Sequence, residues 1–168
     1  MTGTKAAGAA IEATGLVKSY KTKDGTVDAV RGIDLRVEPG EVFGFLGPNG
    51  AGKSTTVRML TTLLSITSGS ARVAGVDVAA DPSGVRHKIG VALQEAGLDE
   101  RQSGRELLTL QGRLFGLGPA DAASRAQELL ELVELTESAD RPSKSYSGGM
   151  KRRLDLATAL VNRPDVLF

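Results

Sequence analysis

Apolar residues recur through two segments near the start of the chain, Ile11 to Tyr20 and Val27 to Val37, and each segment predicts a strand. A polar turn, KTKDGT, joins the two segments and contains Asp24-Gly25, a dipeptide typical of hairpins. The pattern therefore predicts an antiparallel pair of strands at the front of the fold. Residues 1–10 lack a continuous apolar core and predict a loose tail.

The next segment, EPGEVFGFLG, is a turn that leads into a nearly continuous apolar run, which predicts a buried strand. A Gly-rich loop follows, and after it STTVRMLTTLL has Val57, Leu60 and Leu64 at helical spacing. The predicted order of elements is strand, loop, helix.

The middle of the chain changes from strands to helices. GSARVAGVDV predicts a strand pair or a strand and a turn, Asp81-Pro82 predicts a helix start, and KIGVALQ predicts another strand. Ser103 to Glu106 has the spacing of a capping box, and Pro119 opens a second amphipathic helix. We expect one face of that second helix to carry Leu129, Leu132 and Val133.

The last segment, SYSGGMKRRLDLATALVNRP, predicts a loop followed by a helix that Pro164 terminates. Asp165 to Phe168 predicts the opening of a buried strand. Strands buried on both faces that alternate with helices indicate an α/β fold with a mostly parallel sheet. In this chain the sheet is expected to carry an N-terminal antiparallel β element and a helical subdomain insert.

Composition narrows the choice of function only slightly. The chain has 168 residues, 40% of them hydrophobic, which is enough for one domain with a buried core. With 21 basic and 20 acidic side chains the formal charge is +1, so the overall balance does not favour a nucleic-acid partner. Cysteine is absent from the sequence, which excludes disulfides and thiolate metal sites and fits a reducing cytosol. The longest apolar runs are far shorter than the roughly 20 residues that cross a bilayer.

The Gly-rich loop, GPNGAGKS from Gly47 to Ser54, fits the pattern G-x-x-x-x-G-K-[ST] of a phosphate-binding loop. Its glycines let successive backbone N–H groups turn inward around an anion. The loop feeds the N-terminus of a predicted helix, where unpaired N–H groups also favour phosphate. Lys53 would reach the β- and γ-phosphates, and the Ser54 hydroxyl would ligate Mg²⁺. This loop alone leaves kinases, GTPases and motor ATPases open.

A second glycine motif, YSGGMKRR, begins at Tyr146 and precedes the last predicted helix. Ser147 is suited to cap that helix, and Gly148 and Gly149 would let a phosphate approach the backbone. The basic run from Lys151 to Arg153 lies beside it. The motif therefore predicts a second anion-binding helix terminus.

The two motifs together resemble those of ATP-binding cassette (ABC) proteins, in which YSGGM matches the LSGGQ-type signature. The resemblance covers nearly everything from Ile11 to Phe168. Through EPGEVFGFLGPNGAGKSTTVRMLTTLL and YSGGMKRRLDLATAL the chain resembles in particular the ATPase subunits of daunorubicin-type drug-resistance exporters. The resemblance implies a nucleotide-binding core over about 11–94 and 150–168, with a helical subdomain over about 95–149.

The resemblance also implies the roles of single residues. Tyr20 would stack on adenine, and Gln94 would contact Mg²⁺ and the attacking water and link the helical insert to a membrane partner. Ser147, Gly148 and Gly149 would contact the γ-phosphate of ATP bound to a second copy of the subunit. The phosphates of ATP in the same chain would lie against the residues of the first loop, Gly47, Pro48, Asn49, Gly50, Ala51, Gly52, Lys53, Ser54 and Thr55.

Other candidate side chains carry less weight. His87, the only histidine, lies upstream of the signature, whereas the family's switch histidine lies downstream, so His87 is read as a solvated residue between a helix and a strand. Met150 replaces the usual signature glutamine, and the resemblance still implies an anion site because Ser147 and the backbone would do the binding. Charged residues Arg101, Arg105 and Glu106 are read as a solvated helix face.

Three functions remain open on these residues. The first is the ATPase subunit of an exporter, using ATP and Mg²⁺, pairing head to tail with a second copy and driving an integral membrane permease at the cytoplasmic face of the membrane. The alternative is a soluble ABC ATPase that acts on ribosomes or DNA. The third is an unrelated phosphate-loop kinase, in which Ser147 would have no role.

The final residues add one expectation. In the family the strand begun by Asp165 to Phe168 continues to an aspartate and a glutamate, and a switch histidine follows. None of these is in the 168 residues, so we expect a sequence that is incomplete at its C-terminal end and a polypeptide that binds ATP with little or no hydrolysis.

Overall fold

The computed structural model describes residues 8–23, 25–92 and 99–168. The chain divides into two compact units, Met1–Lys88 and Ile89–Phe168. The assignment of 11–94 and 150–168 to a core and of 95–149 to a helical subdomain stays a prediction.

The first unit contains an antiparallel sheet of four strands. These are β1 (Ile11–Thr22), β2 (Gly25–Val37), β3 (Ser68–Val73) and β4 (Val76–Asp77), in the order β2-β1-β3-β4. The predicted hairpin is confirmed, with Ile11 opposite Val37 and Tyr20 opposite Val27. Asp24 of its turn lies outside the described residues. The predicted strand pair in GSARVAGVDV is also confirmed.

Two helices complete the first unit, α1 (Lys53–Leu60) and α2 (Pro82–Lys88). A carboxylate oxygen of Asp81 accepts a 2.8 Å hydrogen bond from the backbone N–H of Gly84, which confirms the predicted helix start at Asp81-Pro82. Helix α1 buries Thr56, Met59 and Leu60 and ends before Leu64, so the predicted helix is shorter than its apolar pattern.

The strand predicted from the apolar run Val42 to Leu46 is not formed. Residues 41–48 have no strand structure, and Val42 and Leu46 are 99% and 94% exposed. A strand is held by hydrogen bonds to neighbouring strands, and none of the described strands pairs with this segment. Apolar composition alone therefore does not make residues 41–48 a strand.

The second unit is mainly helical and contains α3 (Gly104–Leu114), α4 (Pro119–Leu132) and α5 (Gly148–Ala159). Two short 3₁₀ turns, Thr136–Ser138 and Ser143–Ser145, lie between α4 and α5. Pro119 is in the first turn of α4, as predicted. The helices enclose a core made by Leu108, Ala126, Leu129, Leu130, Val133, Leu135, Ala139, Tyr146, Leu154, Ala157 and Val161.

The capping box predicted for Ser103 and Glu106 is confirmed at the start of α3. The Ser103 hydroxyl oxygen accepts from the Glu106 backbone N–H at 3.2 Å, and a Glu106 carboxylate oxygen accepts from the Ser103 N–H at 2.8 Å. This backbone hydrogen bond, with a second one from the Ser103 hydroxyl, lowers the pKa of the Glu106 carboxyl group. The box therefore fixes where α3 begins.

Two details of the helical predictions are wrong. Leu132 is 66% exposed because the buried face of α4 is formed by Ala122, Ala126, Leu129 and Leu130, and Leu132 projects away from it. Helix α5 ends at Ala159 and not at Pro164.

Local hydrogen bonds explain why α5 ends at Ala159, before Pro164. The backbone N–H groups of Leu160 and Val161 bond three residues back, which tightens the last turn, and Arg163 has a φ of 52°. The Arg125 guanidinium donates to the carbonyl oxygens of Leu160 at 2.6 Å and Val161 at 3.1 Å. These bonds satisfy carbonyl groups that the end of the helix leaves free.

A short parallel ladder belongs to the second unit. Strand β5 (Ile89–Gly90) pairs with β6 (Val166–Leu167), so the two predicted strands in KIGVALQ and at the C-terminal segment are present over two residues each. Among the described residues, parallel pairing is confined to this ladder.

We predict that Ser103→Ala lowers the free energy of unfolding by about 1 kcal/mol, because the first turn of α3 loses its cap. The fold lowers the pKa of the Glu106 carboxyl group from its ordinary value of 4.5. The stabilisation by the charged Glu106 is therefore fully present above pH 4.5 and is lost as the pH falls through the lowered pKa. The difference in the free energy of unfolding between wild type and Ser103→Ala should therefore become smaller at acidic pH. Chemical unfolding followed by circular dichroism measures both effects. Ser124→Ala, at an exposed position of α4, is the control, and an equal loss in both variants contradicts the capping account.

Candidate functional site: two glycine motifs at helix N-termini

The phosphate loop from Gly47 to Thr55 lies between an irregular segment and the first turn of α1. Helix α1 begins at Lys53, and no side chain caps its N-terminus. The first N–H groups of a helix have no acceptor within the helix, so those of α1 are available to an anion. The predicted order of loop and helix is confirmed, although the strand before them is not.

Gly52 fixes how the loop enters α1. Its φ of 86° lies in the left-handed region, and a Cβ at this position would overlap the carbonyl oxygen of Ala29 and lie 3.1 Å from Cγ2 of Val30. Only a glycine lets the backbone approach β2 this closely. The loop is therefore packed against the strand that carries Ala29 and Val30.

Lys53 folds back over the loop that precedes it. Its Nζ donates to the carbonyl oxygens of Gly47 and Pro48, both at 2.7 Å. The ammonium group is thus held against the backbone of the loop. Ser54 is exposed in the first turn of α1, next to Lys53.

A cavity of about 460 Å³ adjoins the loop within the first unit. Gly50, Ala51 and Lys53 of the loop line it, together with Thr56 of α1. The remaining lining residues come from β2 and from the segment before the loop, namely Asp28, Ala29, Val30, Arg31, Ile33, Phe45 and Leu46. The volume is of the size that holds a small organic ligand.

Tyr20 lies close to this cavity but does not line it. It pairs across the hairpin with Val27, and the next residue, Asp28, is one of the lining residues. The Tyr20 side chain is 40% exposed, and the Lys18 Nζ lies 5.2 Å from the centre of its ring. The exposed part of the Tyr20 ring is available for stacking.

Ser147, Gly148 and Gly149 are exposed at the N-terminus of α5 in the second unit. The Ser147 hydroxyl accepts from the backbone N–H of Met150 at 3.2 Å, which confirms the predicted cap. A Cβ on Gly148 would meet nothing within 4 Å, so the space beside the backbone is open. The geometry allows an anion to reach this helix end.

Tyr146 anchors the signature motif from below. The side chain is only 5% exposed, and its hydroxyl donates to the carbonyl oxygen of Ser138 at 2.6 Å. Burial raises the pKa of the Tyr146 phenol, so the group stays protonated and able to donate. Met150 packs against the same hydrophobic core, which gives an apolar residue a role where the usual signature has glutamine.

The basic run beside the signature has local partners. Lys151 Nζ lies 2.5 Å from a Glu100 carboxylate oxygen, and Arg153 NH1 donates to the Val133 carbonyl oxygen at 2.9 Å. Arg152 pairs with Asp155, a carboxylate that is buried in α5. These contacts brace α5, and the sequence motif alone did not reveal them.

The other candidate residues from the sequence make contacts with neighbouring residues of the fold. Arg105 pairs with Asp140 at 2.7 Å, and Glu106 belongs to the capping box. The Arg101 backbone N–H donates to a carboxylate oxygen of Asp99 at 3.0 Å. His87 lies in the last turn of α2 with Nδ1 2.8 Å from the Ser83 carbonyl oxygen. Gln94 lies outside the described residues.

Cavity residues Asp28, Arg31 and Phe45 were missed at the sequence level. They lie on the edge of the hairpin and in the segment before the loop, and no motif in the sequence marks them. The one hint of these residues was their polar character within the strand segment of β2, where Asp28 and Arg31 are exposed.

The described part of the chain contains neither a membrane-spanning helix nor a cluster of metal-binding side chains. No helix in it is both long and apolar enough to cross a membrane. Within the same residues, no three His, Cys, Asp or Glu side chains come together in a metal-binding group.

Fold and loop together define a phosphate-loop nucleotide-binding protein. The sequence model of the ABC transporter family matches residues 30–168, so the chain belongs to that family. The predicted fold class is thereby confirmed, and the relatives below confirm the resemblance to daunorubicin-type resistance proteins.

Similar proteins support the same assignment. The chain is 53% identical over 159 residues to the daunorubicin/doxorubicin resistance ATP-binding protein DrrA of Streptomyces peucetius, which covers 95% of this chain and 47% of that protein. It is 39% identical to the linearmycin resistance ATP-binding protein LnrL of Bacillus subtilis, over 94% of this chain and 50% of that protein. The chain therefore spans about half the length of these curated relatives.

A solved structure shares the fold. The ATP-binding cassette MJ0796, in a dimeric post-hydrolysis state bound to ADP and Pi, superposes with a TM-score of 0.81 at 25% identity. The match covers 94% of this chain and 72% of that one.

We predict that Gly52→Ala disturbs both the loop and the stability of the first unit. The left-handed backbone costs a non-glycine residue about 1–2 kcal/mol, and the overlap with Ala29 adds to that cost. Chemical unfolding and ATP binding by calorimetry should both show a loss. Gly44→Ala is the control, because a Cβ there meets nothing within 4 Å and no positive φ is required. Wild-type stability and affinity in Gly52→Ala are incompatible with the close approach to β2.

Proposed function

We propose that this chain is the ATP-binding part of an ABC exporter subunit that hydrolyses ATP to drive a separate membrane permease. The observation that carries the proposal is an uncapped helix N-terminus behind a glycine loop, in a chain 53% identical to a drug-resistance ATP-binding protein. The soluble ABC ATPase stays an alternative without a structural feature that favours it.

The phosphates of ATP would lie against the loop and the first turn of α1. The N–H groups there would donate to the phosphate oxygens, and Lys53 would exchange its contacts with the Gly47 and Pro48 carbonyl oxygens for contacts with the β- and γ-phosphates. Tyr20 would stack on the adenine ring. The cavity beside the loop has room for part of the nucleotide.

Mg²⁺ fits the donor set at this site. The Ser54 hydroxyl is exposed beside the loop, and Mg²⁺ ordinarily binds few protein ligands together with phosphate oxygens and water. When bound, the ion would neutralise the charge that develops on the transferred phosphoryl group. Gln94 remains a proposed second contact to the metal and to the attacking water.

A second copy of the subunit would complete the nucleotide site. Ser147, Gly148 and Gly149 are exposed at an open helix end, and we propose that they contact the γ-phosphate held by the partner subunit. The dimeric cassette bound to ADP and Pi supports this arrangement. Closure around ATP and reopening after hydrolysis would give ATP the differential affinity that a conformational switch requires.

The permease would receive this motion through the Gln94 region and residues 95–118. In this proposal the protein would lie at the cytoplasmic face of the membrane as a peripheral subunit. The names of the relatives support a drug-like cargo.

We predict that Lys53→Ala weakens ATP binding by about tenfold or more in the intact protein, because a charge-assisted contact to phosphate is worth about 1.5–3 kcal/mol. Isothermal calorimetry with ATP and Mg²⁺ measures the change. Lys21→Ala is the matched control, because Lys21 is an exposed lysine of β1. We expect that variant to bind ATP as the wild type does. Unchanged affinity and unchanged export in Lys53→Ala would falsify the assignment of the loop.

A further inference from the structure

Lys18 is a buried lysine on β1, only 8% exposed, in a strand whose other inward-facing residues are apolar. It lies two residues before Tyr20, so the two side chains occupy the same face of the strand. Burying an ammonium group is costly unless it is compensated. Its surroundings should therefore show what compensates the charge.

Among the described residues, the Lys18 ammonium makes two hydrogen bonds to Ser65 and lies over the ring of Tyr20. It donates to the Ser65 carbonyl oxygen at 2.7 Å and to the Ser65 hydroxyl at 3.2 Å. It also lies 5.2 Å from the centre of the Tyr20 ring, within the range of a cation–π interaction. None of the ion pairs found among the described residues includes Lys18. The two Ser65 oxygens and the partial negative potential over the face of the Tyr20 ring therefore compensate its charge.

The backbone beneath Tyr20 is fixed by the same region of the chain. The Ser19 N–H donates to the Thr67 hydroxyl at 3.1 Å, and the Thr67 N–H donates to the Val17 carbonyl oxygen at 3.0 Å. The Ser19 hydroxyl donates to a carboxylate oxygen of the cavity residue Asp28 at 2.7 Å. These hydrogen bonds fix the backbone at the end of β1, and the Lys18 ammonium lies over the ring of Tyr20.

We infer that Lys18 is a positioning residue for the recognition of a purine base. The inference rests on the proposed function, in which Tyr20 stacks on adenine. The ammonium occupies one side of the ring and leaves the other side to the base. It also draws π-electron density toward itself, which lowers the repulsion between the free face and an electron-rich purine.

Two effects then follow for the nucleotide. A ring already held by Lys18 loses less conformational freedom when the base stacks on it. The contribution concerns the base alone, because the phosphate loop is built from other residues. Binding of ATP and binding of a phosphate chain without a base should therefore respond differently to a change at Lys18.

The experiment compares ATP with inorganic triphosphate in the intact protein, each by displacement of a fluorescent nucleotide. Lys18→Gln keeps a donor for Ser65 and removes the charge, and Lys18→Met is a second charge-free variant should the first not fold. We expect ATP affinity to fall about threefold to tenfold and triphosphate affinity to stay unchanged. Lys18→Arg should restore most of the ATP affinity, and Lys21→Gln, on the exposed part of β1, should have no effect.

Tyr20→Ala separates the inference from the proposed function. If Tyr20→Ala weakens ATP relative to triphosphate while both charge-free Lys18 variants do not, the inference is wrong and stacking by Tyr20 stands. If Tyr20→Ala leaves the ratio unchanged, stacking by Tyr20 fails, and the inference fails with it. An equal loss for both ligands in folded Lys18 variants shows a merely structural lysine and also overturns the inference. A double variant no weaker than Tyr20→Ala supports it.

Discussion

The contact between Gly52 and the backbone of β2 is the constraint on which the proposed nucleotide site depends. It sets the left-handed turn through which the glycine loop enters α1, and so it sets the direction in which the first N–H groups of that helix face. Lys53, the first residue of α1, then has its ammonium group above the loop carbonyl oxygens. In the proposed site, phosphate affinity would therefore come mainly from backbone geometry, with one lysine to supply full charge.

The signature motif reaches a similar end by a different local construction. Ser147 caps α5 with its own hydroxyl, and the two glycines after it leave the backbone accessible. What holds this end in place is Tyr146, whose buried phenol bonds to the Ser138 carbonyl oxygen within the helical core. A buried aromatic residue next to an exposed serine and glycine pair lets the motif be both rigid and open. That combination suits a surface that meets a phosphate held by another subunit.

The sequence predicted most of what depends on local chemistry. The capping box at Ser103, the helix start at Pro119 and the front hairpin are formed because each is decided by neighbouring residues. The apolar run Val42 to Leu46 carries a strand pattern but no strand, because a strand also needs a partner that local sequence does not supply. Cavity residues such as Asp28 could not be predicted, because they come together only through the hairpin and the close approach at Gly52.

The central claim is that backbone N–H groups of the glycine loop and of the first turn of α1 hold the phosphates. It is tested most directly by amide chemical shifts in a ¹⁵N-labelled sample titrated with ATP and Mg²⁺. The account predicts that the largest shifts fall on the amides of Gly50 to Thr55, and that inorganic triphosphate shifts the same amides. Shifts concentrated elsewhere in the chain, with those amides unmoved at saturation, would contradict it.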